Sequence, residues 1–290
     1  MSLRIVRTVA ELRALLEPER RAGRRIGLVP TMGAFHDGHR SLMARAAETC
    51  DLVVVSLFVN PTQFGPSEDL AAYPRDEARD AAIAAAAGVE ILFAPAVEEV
   101  YPDGFATTVS VGRLTEGLEG AHRPGHFDGV ATVVAKLFNM VQPAVAFFGQ
   151  KDAQQALVIR RMARDLDLPV RIEVCPTVRE PDGLAMSSRN AYLGAEDRAR
   201  AVGLSRALDA AARAIGDGER DPARVAAAGR AVLAEHGIEP EYFALVSERT
   251  LAPLERIDGE ALIAVAARVG AARLIDNILV TTSNGVPERA

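Results

Sequence analysis

This chain has little cysteine: only Cys50 and Cys175, far apart and each beside apolar positions. That leaves no disulfide framework, and the two thiols read as buried and free in a reducing compartment. Lysine is scarce as well, with Lys136 and Lys151 alone among 33 basic residues and arginine supplying the rest. The chain is not basic for all that arginine. Its net charge is −6, so no cationic face for nucleic acid is expected. Long apolar runs are also missing: the most apolar stretch, residues 81–97, is interrupted by Gly88, Glu90 and Pro95 and cannot span a membrane. No apolar segment follows Met-Ser-Leu-Arg-Ile-Val-Arg at the start, so no export signal is expected and the cytoplasm is the expected location. No internal repeat is visible.

What the chain does have, at 290 residues and 49% hydrophobic, is apolar material for one large or two modest domains. The stretch to build on is residues 28–42, Leu-Val-Pro-Thr-Met-Gly-Ala-Phe-His-Asp-Gly-His-Arg-Ser-Leu. It begins as the end of an apolar strand (Ile26, Leu28, Val29) and is broken by Pro30. It then passes through a turn punctuated by Gly33 and Gly38 and becomes an alanine-rich helical pattern (Leu42, Met43, Ala46, Ala47). Strand, glycine turn and helix together offer backbone N–H groups and a helix N-terminus to an anion. His36 and His39 sit in that turn, where imidazoles can donate to phosphate oxygens. The stretch carries neither G-x-x-x-x-G-K-[ST] nor G-x-G-x-x-G, so the nucleotide site it outlines is neither a P-loop nor a dinucleotide fingerprint. Three readings of the histidine pair compete: phosphate donors, two ligands of a metal, or polar caps of the turn. A zinc site would want a third protein ligand, and no H-E-x-x-H helix is present.

Elsewhere the pattern alternates between strand and helix. Thr8 with Glu11 reads as a capping box opening a short amphipathic helix (Val9, Leu12, Leu15, Leu16). Strands are expected over 25–29, 51–59, 89–94, 107–111, 144–148 and 170–174, and helices over 74–88, 127–141 and 153–166. Polar residues gather after the strands, in Asn60-Pro-Thr-Gln-Phe-Gly65 and Gly149-Gln-Lys-Asp152. This is the look of an α/β, Rossmann-like doubly wound parallel sheet, which binds ligands at the carboxyl edge of its strands. After Pro176 the composition changes. Two alanine-rich helices (196–216 and 221–237) and three strands (239–246, 261–269 and 273–280) suggest a smaller C-terminal α+β domain. The expected division is 1–180 for a nucleotide-binding domain and 181–290 for a lid domain, with a loose tail at 284–290.

Three further elements carry chemistry. Lys151 stands at a strand-to-helix turn in a chain that uses arginine nearly everywhere else. That favours a role for its compact ammonium on phosphate over that of an idle surface lysine. Met186-Ser-Ser-Arg189 offers two hydroxyls and a guanidinium, or is a plain turn. Taken with the His-x-x-His turn it supplies a second donor set for a triphosphate whose charge moves during reaction. Gln63 and Gln155 could hydrogen-bond the hydroxyl or carboxylate of a small hydroxy acid, or lie in solvent as glutamines commonly do.

One set of segments resembles a known family. It comprises Pro30-Thr-Met-Gly-Ala-Phe-His-Asp-Gly-His39, Phe58-Val-Asn-Pro-Thr-Gln-Phe-Gly65, Tyr73-Pro-Arg75, Arg123-Pro-Gly-His-Phe-Asp-Gly-Val130, Gly149-Gln-Lys-Asp152 and Met186-Ser-Ser-Arg189. In this order they resemble the pantoate–β-alanine ligase family of the nucleotidylyl-transferase superfamily, over residues 30–189. Phe35 and Gln150 stand where leucine and glutamate would as readily be expected, and the implied chemistry requires neither. The resemblance implies condensation of (R)-pantoate with β-alanine, driven by ATP through a pantoyl adenylate, with AMP and diphosphate released. It implies catalytic roles for His36, His39 (the candidate proton donor), Lys151, Ser187, Ser188 and Arg189. ATP would be bound by Met32, Gly33, Ala34, Phe35, His36, Asp37, Gly38, His39, Gly149, Gln150, Lys151, Asp152, Val178 and the loop Met186, Ser187, Ser188 and Arg189. Gln63, Gln155, Met32 and Phe58 would hold pantoate and β-alanine. Mg²⁺ on the triphosphate and a homodimer are also implied, with small molecules as the only substrates. Other enzymes of that superfamily transfer AMP to other acceptors, and a nucleotide-binding regulator without catalysis is the alternative from a different class.

Overall fold

The β-branched run Leu52–Leu57 (β3 below) is the kind of segment that only a sheet covered on both faces can bury. The computed structural model describes residues 3–66 and 68–282 and resolves into two compact units. One unit takes in the chain up to Gly149 together with Gln154–Cys175. The other takes Gln150–Ala153 and the described residues from Pro176 onward. The expected tail at 284–290 lies outside the described residues.

In chain order the first unit begins β1 (Arg4–Val6), α1 (Val9–Arg21), β2 (Ile26–Thr31), α2 (Asp37–Thr49), β3 (Leu52–Leu57), α3 (Glu77–Ala86) and β4 (Ile91–Phe93). Two single-turn helices follow, α4 (Val97–Val100) and α5 (Glu119–His122). The long α6 (His126–Val141), β5 (Val145–Gly149), α7 (Ala153–Asp165) and β6 (Arg171–Cys175) complete it. All six strands are parallel, in the order β1-β4-β3-β2-β5-β6. After β2 the chain winds outward through β3 and β4, then returns to the other side of β2 for β5. The order therefore reverses between β2 and β5, and a ligand crevice is expected outside the carboxyl ends of those two strands.

Local chemistry explains the boundaries. Thr8 caps α1 by accepting from the Glu11 amide at 3.2 Å, and α1 buries Leu12 and Leu16 completely. Pro30 does not end β2. It pairs in register with Ser56, two places past the last β2–β5 partner, Leu28 with Ala146. With no β5 neighbour at that point, the missing N–H breaks no ladder bond on that side. The strand expected at 107–111 does not form. The Val109 amide instead donates to the Thr132 hydroxyl of α6 at 2.9 Å, and the Ser110 hydroxyl to Asp128 at 2.7 Å, so this segment is tied to a helix by side chains. α3 starts later than the sequence suggests, because Asp76 caps it through the Arg79 amide at 3.0 Å.

The second unit is an antiparallel meander of β7 (Pro240–Val246), β8 (Glu260–Val269) and β9 (Ala272–Thr281), in the order β7-β8-β9. Its core joins α9 (Gly203–Gly216) and α10 (Pro222–Glu235) to these strands through Leu204, Leu208, Leu233, Phe243 and Ile263, all essentially buried. The helix expected at 196–216 is two helices, because α8 (Ala195–Ala201) stops at Val202 before α9 starts. Gly203 lies against the His236 side chain, where a Cβ would stand 2.8 Å from its Cγ, and Gly229 of α10 makes the same kind of room for the Phe243 ring. No helix among the described residues is long and apolar enough to cross a membrane.

Candidate active site

β2 leads directly into the histidine turn. His36 is the N-cap of α2, and its ring Nδ1 accepts from the Gly38 amide at 3.1 Å. In return the His36 amide donates to Nδ1 of His39 at 3.3 Å, and the two rings tilt against each other with centroids 4.2 Å apart. This is a capping box built from two imidazoles. It puts Gly38 inside the first helical turn, not in the loop. It also settles the tautomers: a ring nitrogen that accepts from a backbone N–H carries no proton, so a neutral ring bears its proton on Nε2.

The backbone N–H groups expected to face an anion are otherwise employed. Ala34 (φ +53°) and Phe35 each donate at 2.8 Å to the carboxylate of Asp80, which projects from α3 and is 1% exposed. Burial pushes the Asp80 carboxyl above its usual range, against the pull of those two bonds. Gly33 (φ +90°) leaves the space this carboxylate needs, since a Cβ there would lie 2.9 Å from its Oδ2. Phe35 is buried in the core against α2. Ala34 and Phe35 therefore anchor the turn from beneath.

The Asn60-Pro-Thr-Gln segment at the end of β3 is equally ordered. Residues Pro61–Gln63 form a 3₁₀ turn capped by Asn60. Gln63 is 8% exposed, not solvated. Its Nε2 lies 3.0 Å from the Met32 sulfur, and its Oε1 accepts from Asn60 Nδ2 at 3.1 Å. Asn60 Nδ2 also donates to the Gly129 carbonyl at 3.1 Å, while Asn60 Oδ1 accepts from the Tyr101 hydroxyl at 2.8 Å. Phe58 is buried beside Tyr101, with ring centroids 6.2 Å apart. The turn lies so close to α6 that only glycine fits at 129. A Cβ there would stand 2.5 Å from the Thr62 carbonyl carbon and 2.7 Å from the Gln63 nitrogen.

A second layer holds that turn from the other side. His126 Nδ1 donates to the Gln63 carbonyl at 2.8 Å, while its Nε2 lies 3.0 Å from the Arg123 guanidinium. Burial, and then the Arg123 charge, push the His126 imidazole down to about 4, so it is neutral. Arg123 pairs with both oxygens of Glu68 at 2.7 and 2.6 Å. Burial alone would raise the Glu68 carboxyl, but this pairing holds it below the usual range. The Arg-Pro-Gly-His motif thus has a structural account. Of the adjacent glutamines on α7, Gln154 is pinned to the loop before α5, donating to Leu114 and Gly117 carbonyls at 2.8 and 2.9 Å and accepting from the Glu119 amide at 3.0 Å. Gln155 is half-buried.

The second unit holds the other predicted donors. Gln150–Asp152 form a 3₁₀ turn just after Gly149, with Lys151 Nζ 3.4 Å from Asp152 Oδ1. Ser187 caps a second 3₁₀ turn, Ser188–Tyr192, by accepting from the Arg189 amide at 3.3 Å. The Met186 amide donates to the Val178 carbonyl at 3.0 Å, and Asn190 donates to Glu180 and to the Ala185 carbonyl at 2.8 and 3.1 Å. The Met-Ser-Ser-Arg segment is therefore held in shape along its length. Sequence reasoning quoted Asn60 within the Asn-Pro-Thr-Gln segment but gave it no role of its own, and it passed over Asp80 and Tyr101, which lie in none of its motifs.

Neither thiol is poised to react. Cys175 is buried, and desolvation together with the Glu173 charge pushes it up to about 11; burial raises Cys50 too. No group of three or more His, Cys, Asp or Glu able to hold a metal is present among the described residues.

Residues 4–279 match the family model described as pantoate-beta-alanine ligase. A pantothenate synthetase from Heliobacterium modesticaldum is 55% identical over 279 residues, which is 96% of this chain and 99% of that protein. The crystal structure of pantothenate synthetase from Thermus thermophilus is similar with a TM-score of 0.91 at 53% identity, covering 95% of this chain and 99% of that one. A pantoate-beta-alanine ligase from Francisella tularensis, complexed with beta-gamma ATP and beta-alanine, gives a TM-score of 0.80 at 32% identity over 96% of this chain and 98% of that one.

Proposed function

This chain belongs to the pantoate-beta-alanine ligase family, and we propose that it makes pantothenate in two half-reactions joined by a bound pantoyl adenylate. The overall reaction is the ATP-dependent condensation of pantoate with β-alanine. The observation that carries the mechanism is the reciprocal His36–His39 cap, which keeps both ring protons on Nε2. Attack of the pantoate carboxylate on the α-phosphorus builds negative charge on the phosphoryl oxygens and the departing diphosphate. Fixed N–H donors stabilise that charge, and they need no reorganisation when it appears. His39 gives the pair's hydrogen bond from Nε2 to the reacting phosphate, and His36 binds beside it.

Lys151, Ser187, Ser188 and Arg189 supply the remaining donors to the phosphates. Gly149, Asp152 and Val178 hold adenosine. The rest of the two nucleotide segments, Met32 to Gly38 with Gln150 and Met186, shapes the ATP site. Pantoate hydrogen-bonds to Gln63 and Gln155, and its geminal methyls meet Met32 and Phe58. The fixed orientation of the Gln63 amide between Met32 and Asn60 supports its part in this. In the second half-reaction the β-alanine amine attacks the acyl carbon, the C–O bond breaks, and AMP leaves. The protonated state of both thiols agrees with a route that uses no protein nucleophile.

Mg²⁺ enters as part of the nucleotide. The side chains named above are donors suited to phosphate oxygens, so the ion would be carried by the triphosphate itself. It neutralises phosphate charge when bound. The same family reading makes the chain a cytoplasmic homodimer, for which sedimentation is the direct check.

Isotope transfer tests the route. With ¹⁸O in the pantoate carboxylate, attack on the α-phosphorus joins one labelled oxygen to phosphorus, and cleavage of the C–O bond leaves that oxygen on AMP. One ¹⁸O is expected in AMP for each pantothenate formed, and none in diphosphate. Unlabelled AMP would mean that no adenylate forms; label in diphosphate or phosphate would mean attack at another phosphorus.

A further inference from the structure

Lys151 sits on a turn whose backbone is gripped by a strand far away in sequence. The Asn277 side chain on β9 donates through Nδ2 to the Gln150 carbonyl at 3.0 Å and to the Lys151 carbonyl at 2.8 Å. Its Oδ1 accepts from the Gln150 side-chain amide at 3.0 Å. Both amide hydrogens and the amide oxygen are used, and Asn277 is only 5% exposed. The preceding residue anchors this grip: Asp276 is 2% exposed, accepts from the Asn277 amide at 2.7 Å, and is paired through both oxygens with Arg179 at 2.6 and 3.0 Å. The Lys151 ammonium also lies within the field of the Asp276 carboxylate.

From this arrangement we propose that Asn277 is a positioning residue for Lys151, fixing the turn that delivers its ammonium to the nucleotide phosphates in adenylate formation. The proposal rests on the phosphate role assigned to Lys151 above. A lysine stem has four rotatable carbons, so the ammonium is placed only as well as the backbone beneath it. Each carbonyl held by Asn277 removes freedom at the root of that stem. Aspartate could not replace Asn277, because it would set oxygen against two carbonyl oxygens. Nor could any residue lacking an amide, since only an amide supplies two donors and an acceptor at one position.

The test is a double-mutant cycle on the full chain, read in each half-reaction separately. Asn277→Ala is expected to slow the pantoate-dependent diphosphate burst by roughly tenfold or more, the scale of a misplaced catalytic group. Transfer from bound adenylate to β-alanine should change by less than about threefold, because Lys151 acts before that step. In a Lys151→Ala background, Asn277→Ala should slow the burst by less than about threefold, since its target is gone. Asn277→Ser, which perturbs the strand less, replaces the alanine variant if thermal unfolding shows that the latter does not fold. Equal slowing of both half-reactions, or full additivity with Lys151→Ala, would reduce Asn277 to a structural residue. A normal burst in Asn277→Ala beside a slow one in Lys151→Ala would refute the positioning role while sparing the lysine assignment. A normal burst in Lys151→Ala would remove both.

Discussion

Gly129→Ala adds one methyl group where the structure has no room for it. The new Cβ would stand 2.5 Å from the Thr62 carbonyl carbon and 2.7 Å from the Gln63 nitrogen, and nearer still to the Thr62 oxygen. These are backbone atoms, so no side chain can swing aside. Bringing the closest contact, that with the Thr62 oxygen, out to the 3.0 Å below which real Cβ atoms essentially never lie moves the Pro61–Gln63 turn about 0.7 Å from α6. Overpacking of this kind costs about 1–3 kcal/mol. The helix gains back at most about 1 kcal/mol from exchanging glycine for alanine. The net loss is smaller than the roughly 5–15 kcal/mol that holds a domain together, so the variant folds.

Function should suffer more than stability. The turn carries Gln63, whose carbonyl is held by His126 and whose neighbour Asn60 donates to the Gly129 carbonyl. Both bonds stretch as the turn retreats. Misplacement by about 1 Å can cost a hundredfold, so about 0.7 Å predicts a fall of roughly 25-fold in kcat/KM for pantoate. The KM for ATP should stay within about twofold, because the histidine turn is anchored separately by Asp80. Initial rates of AMP release, with pantoate varied at saturating ATP and then the reverse, separate the two. An unchanged kcat/KM for pantoate in a folded variant would show that this turn does not position the acid. A rise confined to ATP would move Gln63 to the nucleotide site.

Three further perturbations reach other parts of the site. Asp80→Asn exchanges an acceptor oxygen for an NH₂ group facing the Ala34 or Phe35 amide, at a cost of about 1–3 kcal/mol in unfolding free energy. It should slow the diphosphate burst by at least about tenfold through the displaced histidine turn; a wild-type burst rate would show that the turn holds itself. His39→Ala should slow the same burst by about a hundredfold, the scale of one lost transition-state donor, and a normal burst would exclude His39 from the chemistry. The folded His126 is held at about 4, below its ordinary value, so the unfolded chain takes a proton that the folded one refuses. Stability is therefore full above pH ~6.5 and falls as the pH drops toward 4, by roughly 3 kcal/mol from this group. Urea unfolding followed by circular dichroism at pH 7, 5.5 and 4 measures it, and His126→Gln should flatten that dependence; an equal slope in both proteins would assign the loss elsewhere.

Much of this arrangement is legible from local pattern, and the remainder fails for identifiable reasons. The β-branched run before Asn60 and the Ala-Val-Ala-Phe-Phe run before Gly149 admit only buried strands, and strand ends locate the crevice. The segment at 107–111 has the same residue types but is largely exposed, and its Val109 amide goes to a helix hydroxyl. Strand propensity without a neighbouring strand decides nothing. Glycine in the histidine turn suggested backbone donors for an anion, yet those of Ala34 and Phe35 serve a carboxylate 46 and 45 residues away. The Asn277 bonds span 126 and 127 residues. Partners at such separations leave no periodicity in one sequence, so the positions of the imidazoles could be read while their supports could not.

The passage of Gln150–Ala153 into the second compact unit bears on how this protein can be inherited and rebuilt. Four residues framed on both sides by first-unit chain belong, by their contacts, with everything after Pro176. A crossover at residue 176, the natural seam for exchanging one C-terminal half for another, would therefore transplant the strand bearing Asn277 but leave its Gln150–Lys151 partner behind. Lineages that traded halves at that seam would have to keep the two segments matched. A chimaera assembled there succeeds or fails on four residues that no linear map would assign to the part being replaced.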